Sequence, residues 1–487
     1  MLNHSTYRIY SFIAEMFIGE EKLTSVARVN CAPRNFNSAL ELPKGFMDFL
    51  TPLHKVFTPR QRALVSERAV ALAEAHKGRL PDYRAASEAT TRGWRIELPD
   101  WAQDQRGHIT GPADDAELVV KMLNSGAPGV TLDLEDSMAN YWPNLTRGVR
   151  NIVSALKGEL YYVDQKLSRR VSIQENGEKR RSVIFTRARG LHLNQAGVLP
   201  DEMISASLFD VALIAYQLDP AWLKHPLAFY IPKSESAEEA LWWRDLFGEI
   251  ERARGWTPGW IKCIALLESH PLAYQMEEFV YNLRERIVGL NLERWDYMAS
   301  VTHFNLPNPE WALPDRNTIP HDPPFLRNLR QSLLELCHRR GILAAFYPNR
   351  ENAEPRPDLR PAPRAIGRLT VAGTRAAARA VIRYRANYLR GKGASLLDGY
   401  MEDLATDRVH RLMIAQRMLH QDAAPITDED GRPVRHTPEF VSELFDEELE
   451  RILSEAPFDS LYEDHDSCWL ARFLSEQMIR DGEFDPE

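Results

Sequence analysis

The sequence predicts an α/β protein built around a parallel barrel, with helical regions at both ends. Strand-like aliphatic runs alternate with helical segments through the middle of the chain, which indicates a parallel sheet covered by helices. Four of these runs end in charged residues, at LDLEDS (132–137), TRARGLH (186–192), LLES (266–269) and LNLERWDY (290–297). The carboxyl ends of barrel strands converge on one face, where active sites lie. We therefore expect a barrel enzyme that uses a hard divalent cation and an arginine.

The composition limits the partners and the compartment. The 487 residues carry a net charge of −9, which argues against nucleic acid as the main partner. The four cysteines have no CxxC spacing, a pattern typical of reduced thiols in a cytosolic protein. No apolar run reaches the ~18 residues of a membrane span. We therefore expect a cytoplasmic protein with no membrane partner.

Residues 1 to about 105 are predicted to be mostly helical. The segment from Gln61 to Lys77 has apolar residues at helical spacing. Thr58 and Pro59 stand ahead of it, which predicts an N-cap followed by proline at the first helical position. We interpret this helix as a packing element.

The barrel is predicted to lie within residues 106–373. Its strands are expected at 107–111, 129–134, 182–187, 226–231, 261–267, 286–292 and 341–347. Helices are expected between them, for example at 235–253 and 270–286. A further run from Leu208 to Tyr216 is strand-like, and we assign it either to the barrel or to a β-hairpin insertion.

The last part of the chain, residues 374–487, is predicted to be an all-helical domain. A proline-rich stretch at 348–363 precedes it and indicates a loop or linker. An arginine-rich helix is expected from Thr374 to Arg390, ending at Gly391. Thr437 and Pro438 open another helix.

Charged residues at the strand ends are the candidates for chemistry. Glu268 and Asp296 are hard oxygen ligands of the kind that hold Mg²⁺, or else they pair with arginines at the barrel mouth. Arg187 either faces a developing oxyanion or forms an ion pair with Glu135, and the two roles are compatible. We interpret His192 and His270 as structural. Asp403 is by its position a helix N-terminal acid.

Taken together, these stretches resemble the malate synthase family, A-type. The similarity runs from about residue 43 to 480. It is carried by ITGP (109–112), LNSGAPGVTLDLEDS (123–137), RARGLHL (187–193), FYIPKSES (229–236), LLESHPLAYQMEEFVYNLRERIVGLNLERWDY (266–297), LPDR (313–316), CHRRG (337–341) and YLRGKG…YMEDLAT (388–406).

The resemblance implies a TIM-type (β/α)8 barrel with an N-terminal helical clasp and a C-terminal helical plug that completes the active site. It implies a Mg²⁺-dependent Claisen condensation of acetyl-CoA with glyoxylate, followed by thioester hydrolysis to malate, a reaction of the glyoxylate cycle. A carboxylate can deprotonate a thioester methyl only if the enolate oxygen meets preorganised positive charge.

The resemblance also implies a role for each matching residue. Glu268 and Asp296 match the Mg²⁺ ligands, Arg187 the arginine that stabilises the enolate, and Asp403 the base from the plug. Glu135 matches the acid near that arginine, with Asp136 in the same motif as a substrate-binding residue. Backbone N–H groups beside Trp295 and Asp296 are expected to hold the glyoxylate carboxylate.

The chain departs from the family pattern after residue 341. Residues 342–348 replace a glycine-rich stretch, and the segment with the last barrel strand is missing, unless 368–373 serves as a shortened strand. Ser269 and His270 also replace the usual residues after the metal ligand. These departures leave two alternatives: a related enzyme with another 2-oxo acid or an acyl carrier protein thioester, or a non-catalytic interaction subunit.

Overall fold

The computed structural model describes residues 29–104, 107–174, 182–345, 359, 367–424, 426–455 and 461–484. Its strands are β1 Val29–Cys31, β2 Ile109–Pro112, β3 Gly129–Asp133, β4 Tyr161–Asp164, β5 Arg169–Ser172, β6 Val183–Arg187, β7 Asn194–Leu199, β8 Glu202–Ser205, β9 Ala228–Ile231, β10 Lys262–Leu267, β11 Ile287–Leu292, β12 Leu343–Ala345, β13 Ser395–Leu397 and β14 Tyr400–Glu402.

The α-helices fall before, between and after the barrel strands. They are α1 Ser38–Glu41, α2 Phe46–His76, α3 Glu88–Thr91, α4 Ala116–Asn124, α5 Trp142–Leu156, α6 Ala206–Tyr216, α7 Ala237–Arg254, α8 His270–Ala273, α9 Met276–Asn282, α10 Arg294–Phe304, α11 Pro324–Arg340, α12 Val371–Leu389, α13 Leu404–Leu419, α14 Pro438–Glu455 and α15 Leu461–Asp481. No helix in the described part of the chain is both long and apolar enough to cross a membrane.

Seven strands form one parallel sheet in the order β2-β3-β6-β9-β10-β11-β12. All its pairings are parallel, and β3, β9 and β11 are buried along their whole length. Such strands consist of nearly continuous apolar residues because helices cover one face and the barrel interior covers the other. The α/β barrel class and the positions of these strands are confirmed, with the sheet forming a curled, partly open barrel.

The long helix α2 begins earlier than the sequence predicts. It starts at Phe46 and contains both Pro52 and Pro59, so the expected start at Thr58 is wrong. The Thr58 hydroxyl instead hydrogen-bonds Nδ1 of His54 at 2.9 Å and accepts from the Ser205 backbone N–H at 3.2 Å. Packing of this turn against the β8 end therefore outweighs the cost of proline in a helix interior.

Two further local predictions are wrong. The run from Leu208 to Tyr216 belongs to helix α6, in which every residue from Ala206 to Ala215 is buried. A helix that is apolar on all sides has the same pattern as a buried strand, so periodicity cannot separate the two. The helix expected at 270–286 is divided into α8 and α9, with Ser269 capping the first.

The end of the barrel lies partly outside the described residues. The linker predicted at 348–363, and with it the segment expected to lack the last strand, falls almost entirely there. The alternative strand at 368–373 is not formed, because Thr370 is the N-cap of α12, which begins at Val371. The Thr370 hydroxyl and backbone N–H instead donate to Asp315 at 2.6 and 3.1 Å.

The C-terminal helical region, α12 to α15 with the hairpin β13–β14, folds back onto the barrel mouth. Gly391 adopts a φ of +85°, and a Cβ at Gly393 would collide with the backbone that follows the LDLEDS motif. The Tyr388 hydroxyl accepts a hydrogen bond from the Asn140 backbone N–H at 3.0 Å. Glycine is thus needed at both positions, once for conformation and once for close approach. The domain limits at residues 105 and 373 stay a prediction.

Candidate active site

The carboxyl ends of adjacent strands gather the charged residues in one place. Asp133 and Arg187 are paired neighbours at the ends of β3 and β6, and Lys233 follows β9. Glu268 directly follows β10, and Glu293 follows β11 and begins the turn into α10. Because these strands are neighbours in the sheet, side chains far apart in sequence meet at one edge.

Arg187 is held by Asp133, a residue that sequence reasoning did not single out. Its Nε and Nη2 donate to the two oxygens of Asp133 at 2.7 and 2.5 Å, while Glu135 lies 3.9 Å from Nε. The expected ion pair with Glu135 is therefore the longer contact, and the bidentate pair is with Asp133. Burial alone would raise the pKa of Asp133, but Arg187 and hydrogen bonds from Ser137 and the Glu135 backbone lower it.

The Nη1 atom of Arg187 points away from this pair, toward the centre of the site. It lies 3.3 Å from Oδ2 of Asp136. Arg187 is buried, and the fork to Asp133 fixes the plane of its guanidinium. The arrangement therefore presents a rigid positive charge to whatever binds beside Asp136.

Three carboxylates lie close enough to hold one cation. Oxygen atoms of Asp136, Glu268 and Asp296 lie within 4.8 Å of one another, and all three residues are buried. Oε2 of Glu268, Oδ1 of Asp136 and Oδ1 of Asp296 accept no hydrogen bond from the residues that the structure describes. Buried carboxylate oxygens without donors are costly unless a cation binds them, and this hard oxygen set fits Mg²⁺.

Burial raises the pKa of each of these three acids. Desolvation is the largest cause for each, opposed by the charge of Lys233. For Asp136 the pKa rises to about 6, with repulsion from Asp296 as the second cause. The three carboxylates therefore repel one another, and a shared divalent cation would relieve that repulsion.

Lys233 is the second cation of the site and was also missed by sequence reasoning. Its Nζ lies 2.6 Å from Asp136, 3.1 Å from Asp296, 3.5 Å from Glu135 and 4.0 Å from Glu268. Its backbone N–H donates to Oε1 of Glu268, and its φ of +45° is rare outside glycine. The positive φ distinguishes Lys233 from other lysines in the structure, but the amino-acid sequence gives no sign of it.

Glu135 and His192 lie behind this cluster. Glu135 is buried, and desolvation raises its pKa well above the usual value, opposed by Lys233. Its Oε1 lies 3.9 Å from Nε2 of His192. Both residues are therefore part of the wall of the site, near Arg187 and Lys233.

Asp403 reaches the site from the helical C-terminal region. It is the N-cap of α13, and its Oδ1 accepts from the Thr406 backbone N–H at 3.0 Å. Loss of solvent raises the pKa of Asp403 to about 6, and Asp136 adds to the rise, while Arg187 and Lys233 oppose it. The carboxyl group thus lies within the electrostatic reach of the barrel cluster.

The N-terminus of α10 points into the same site. Glu293, its N-cap, forms no side-chain cap hydrogen bond. Desolvation raises the pKa of Glu293 to about 8. Trp295 and Asp296 lie in this first turn, where backbone N–H groups and the helix dipole favour an anion.

The parallel α/β barrel, its buried acidic cluster beside a fixed arginine, and the carboxyl group that approaches from the C-terminal helices are typical of a barrel enzyme. Family models for malate synthase match most of this architecture, the TIM barrel domain over residues 183–354 and the C-terminal domain over residues 368–481.

Several malate synthases are similar in sequence to this chain over most of its length. A malate synthase of Streptomyces clavuligerus is 32% identical over 450 residues, covering 77% of this chain and 82% of that protein. A malate synthase of Myxococcus xanthus is 30% identical and covers 90% of this chain and 91% of its own length. Malate synthase A of Escherichia coli is 29% identical, with 84% and 87% covered. The chain therefore belongs to the malate synthase family and is an acyltransferase that forms a carbon–carbon bond.

Proposed function

We propose that this chain condenses acetyl-CoA with glyoxylate and hydrolyses the thioester to give malate and CoA. The relatives named above are all malate synthases, which favours this substrate pair over a carrier-protein thioester or another 2-oxo acid. The observation that carries the proposal is the convergence of Asp403 from the plug with Arg187 and the acidic cluster of the barrel.

Asp403 is proposed as the base that removes a proton from the acetyl methyl group. A pKa of about 6 suits this role, because the carboxylate is mostly ionised at neutral pH yet more basic than an exposed aspartate. Its hydrogen bond from the Thr406 N–H fixes one oxygen, which leaves the other to accept the proton.

Arg187 is proposed to stabilise the enolate that forms. Its guanidinium is fixed by Asp133, so it need not reorganise as negative charge develops on the thioester oxygen. The enolate carbon then attacks the aldehyde carbon of glyoxylate, whose oxygen takes up the negative charge and then a proton to become the hydroxyl of a malyl thioester. Water finally attacks the thioester carbonyl, and the C–S bond breaks to give malate and the CoA thiol.

Asp136, Glu268 and Asp296 are proposed to hold Mg²⁺, with Asp136 added to the two ligands expected from sequence. The ion, when bound, polarises the aldehyde of glyoxylate and fixes its position. The amides beside Trp295 and Asp296 bind the glyoxylate carboxylate at the helix N-terminus. Glu135 and Lys233 stabilise the charges around the site.

A thiol-release assay with acetyl-CoA and a panel of 2-oxo acids tests the proposal. We expect Mg²⁺-dependent CoA release with glyoxylate, and malate as the product in mass spectrometry. Release with a larger 2-oxo acid but not with glyoxylate would contradict the substrate pair. No release with any acid would contradict the catalytic assignment.

A further inference from the structure

A short barrel segment, Trp311–Arg316, attaches to the plug through buried polar contacts. We name this segment the latch. Asp315 accepts from Nη2 of Arg417 at 2.6 Å, and Leu313 donates its backbone N–H to Oε1 of Gln416 at 3.0 Å. Nε2 of Gln416 donates to the Trp311 carbonyl at 2.7 Å. These contacts hold helix α13 near its C-terminal end.

Arg316, the last residue of the latch, attaches the other end of α13. Its Nη1 donates to Oε1 of Glu402 and lies 3.2 Å from Nε2 of His410. The side chains of Arg316 and Glu402 are only 10% and 4% exposed. A buried ion pair of this kind fixes geometry strongly, because either charge alone would be costly to bury.

The same guanidinium also contacts the first turn of helix α10, which carries Asp296. The Arg316 guanidinium carbon lies 4.6 Å from the ring centroid of Trp295, the residue before Asp296. It lies 5.2 Å from the ring of Tyr400 in the hairpin. Arg316 therefore bridges the first turn of α10 and the strand that leads into α13.

We propose that Arg316 is a positioning residue that holds Asp403 over the acidic cluster of the barrel. The inference rests on the proposed role of Asp403 as the base. Asp403 is fixed to α13 by reciprocal bonds with Thr406, at 3.0 and 2.9 Å. Glu402 is the residue before it, so the Arg316–Glu402 pair sets where the N-terminus of α13 lies relative to Asp296.

The apolar side chains of the hairpin are mostly exposed. Leu396, Tyr400 and Met401 are exposed at 70%, 47% and 59%, and the buried Leu397 packs chiefly among residues of the helical C-terminal region. Proton abstraction demands a well-placed base, and a displacement of about 1 Å far from the chemistry can cost about 100-fold in rate. Arg316 should therefore influence proton abstraction without touching substrate.

Arg294 offers a matched control. Its guanidinium carbon lies at the same 4.6 Å from the Trp295 ring, but it donates to Nδ1 of His321 at 3.0 Å and the Pro320 carbonyl at 2.9 Å, both on the barrel side. Replacing Arg294 thus removes an arginine from the same ring without removing the Glu402 ion pair.

The test compares Arg316→Gln, Arg316→Lys, Glu402→Gln and Arg294→Gln by steady-state kinetics. Acetyl-CoA deuterated at the methyl group reports the isotope effect on kcat. For Arg316→Gln we expect kcat to fall about 100-fold, KM for glyoxylate to change less than about threefold, and the isotope effect to rise. Arg316→Lys keeps the charge but not the planar fork, so about a tenfold loss is expected.

A double variant and the control variant show whether the loss comes from the Arg316–Glu402 ion pair. Arg316→Gln combined with Glu402→Gln should be no worse than either change alone, because both remove one interaction. Arg294→Gln should keep kcat within about threefold of the parent enzyme. Equal losses from Arg294→Gln and Arg316→Gln would overturn the inference, since stacking on Trp295 would then be the cause.

Other outcomes are also decisive. A fall in kcat with an unchanged isotope effect overturns the inference, because a smaller folded fraction has that result. If Arg316→Gln does not fold, Arg316→Lys and Glu402→Gln carry the same test. An inactive Asp403→Asn beside a normal Arg316→Gln overturns this inference alone. A normal Asp403→Asn overturns the proposed base and the inference with it.

Discussion

The barrel mouth and the plug each bury a cluster of charged side chains, and the two clusters differ in their ratio of carboxyl groups to cationic side chains. At the mouth, five carboxyl groups surround two cations: Asp133, Glu135, Asp136, Glu268 and Asp296 around Arg187 and Lys233. In the plug, one carboxyl group, Asp407, lies between Arg385 and Arg411. The first cluster has an excess of negative charge, and the second has an excess of positive charge.

The pKa directions follow this difference. Burial raises the pKa of Glu268 and Asp296 because the cations nearby are too few to offset desolvation. Burial would also raise the pKa of Asp407, but its two arginines lower it below the usual value. Equal burial thus produces an acidic cluster suited to a cation in one place and a structural ion pair in the other, depending on the ratio of charges.

The largest expected effect concerns Asp403, the proposed base at the boundary between the two regions. We expect Asp403→Asn to lower kcat about 1,000-fold, because general base catalysis by a positioned carboxylate is worth 100- to 10,000-fold. Asparagine is as good an N-cap as aspartate, so helix α13 should keep its N-terminal cap in the variant. Deuterium exchange of the acetyl methyl group measures the lost step.

Binding of Mg²⁺ and of glyoxylate should be nearly unchanged in the same variant, as calorimetry can show. Unchanged methyl exchange in Asp403→Asn would mean that Asp403 only caps α13, and that the site lies in the barrel alone.

A smaller loss is expected when Arg187 becomes lysine. Lysine cannot form the two parallel bonds to Asp133, so the positive charge loses its fixed direction. We expect kcat to fall about 100-fold with little change in KM for acetyl-CoA, as for loss of one oxyanion donor. Nearly normal turnover would make Arg187 structural, like the arginines around Asp407.

The charge balance itself can be tested with a matched pair of substitutions. Lys233→Met and Arg411→Met each remove one buried cation, and each should destabilise the protein by about 3–5 kcal/mol in urea unfolding with EDTA. Added Mg²⁺ should stabilise Lys233→Met more than the parent protein, because one competing cation is gone. Mg²⁺ at 100 times its Kd should raise the free energy of unfolding by about 2.7 kcal/mol.

Arg411→Met should gain only as much from Mg²⁺ as the parent protein does. Equal gains for the two variants would show that the acidic cluster is not the metal site.

The smallest effect is the pH dependence. The proposed base, Asp403, can accept a proton only when ionised, so kcat should fall about tenfold per unit as pH drops below about 6, and level off above. The pKa of Asp403 in the folded protein lies above its usual value. The carboxyl group therefore stabilises the folded state below about pH 4, and this stabilisation is lost as the pH rises through 6.

Asp403→Asn lacks this loss and should therefore gain stability relative to the parent protein between pH 4 and 8. Parallel pH profiles of thermal unfolding for the two proteins would contradict the raised pKa.

The barrel class, the strand positions and the family could all be predicted from the amino-acid sequence. These follow from local properties: apolar runs form the strands, and the order of short motifs is highly specific. It also marked the charged strand ends, because parallel strands bring their carboxyl ends to one edge whatever the loops do. Helix α6 and the start of α2 could not be read this way, since burial on all sides and packing against β8 override local signals.

The partners of each charged side chain, in contrast, became known from the folded structure. Asp133 rather than Glu135 forms the bidentate ion pair with Arg187, because the strand register places the two residues side by side. Lys233 lies among the carboxylates, where its backbone has a strained conformation. The approach of Asp403 also depends on contacts remote in sequence, through Gly393 against Met138 and Arg316 against Glu402. Sequence spacing carries no information on such pairs, since electrostatic contacts depend on distance in space and on burial.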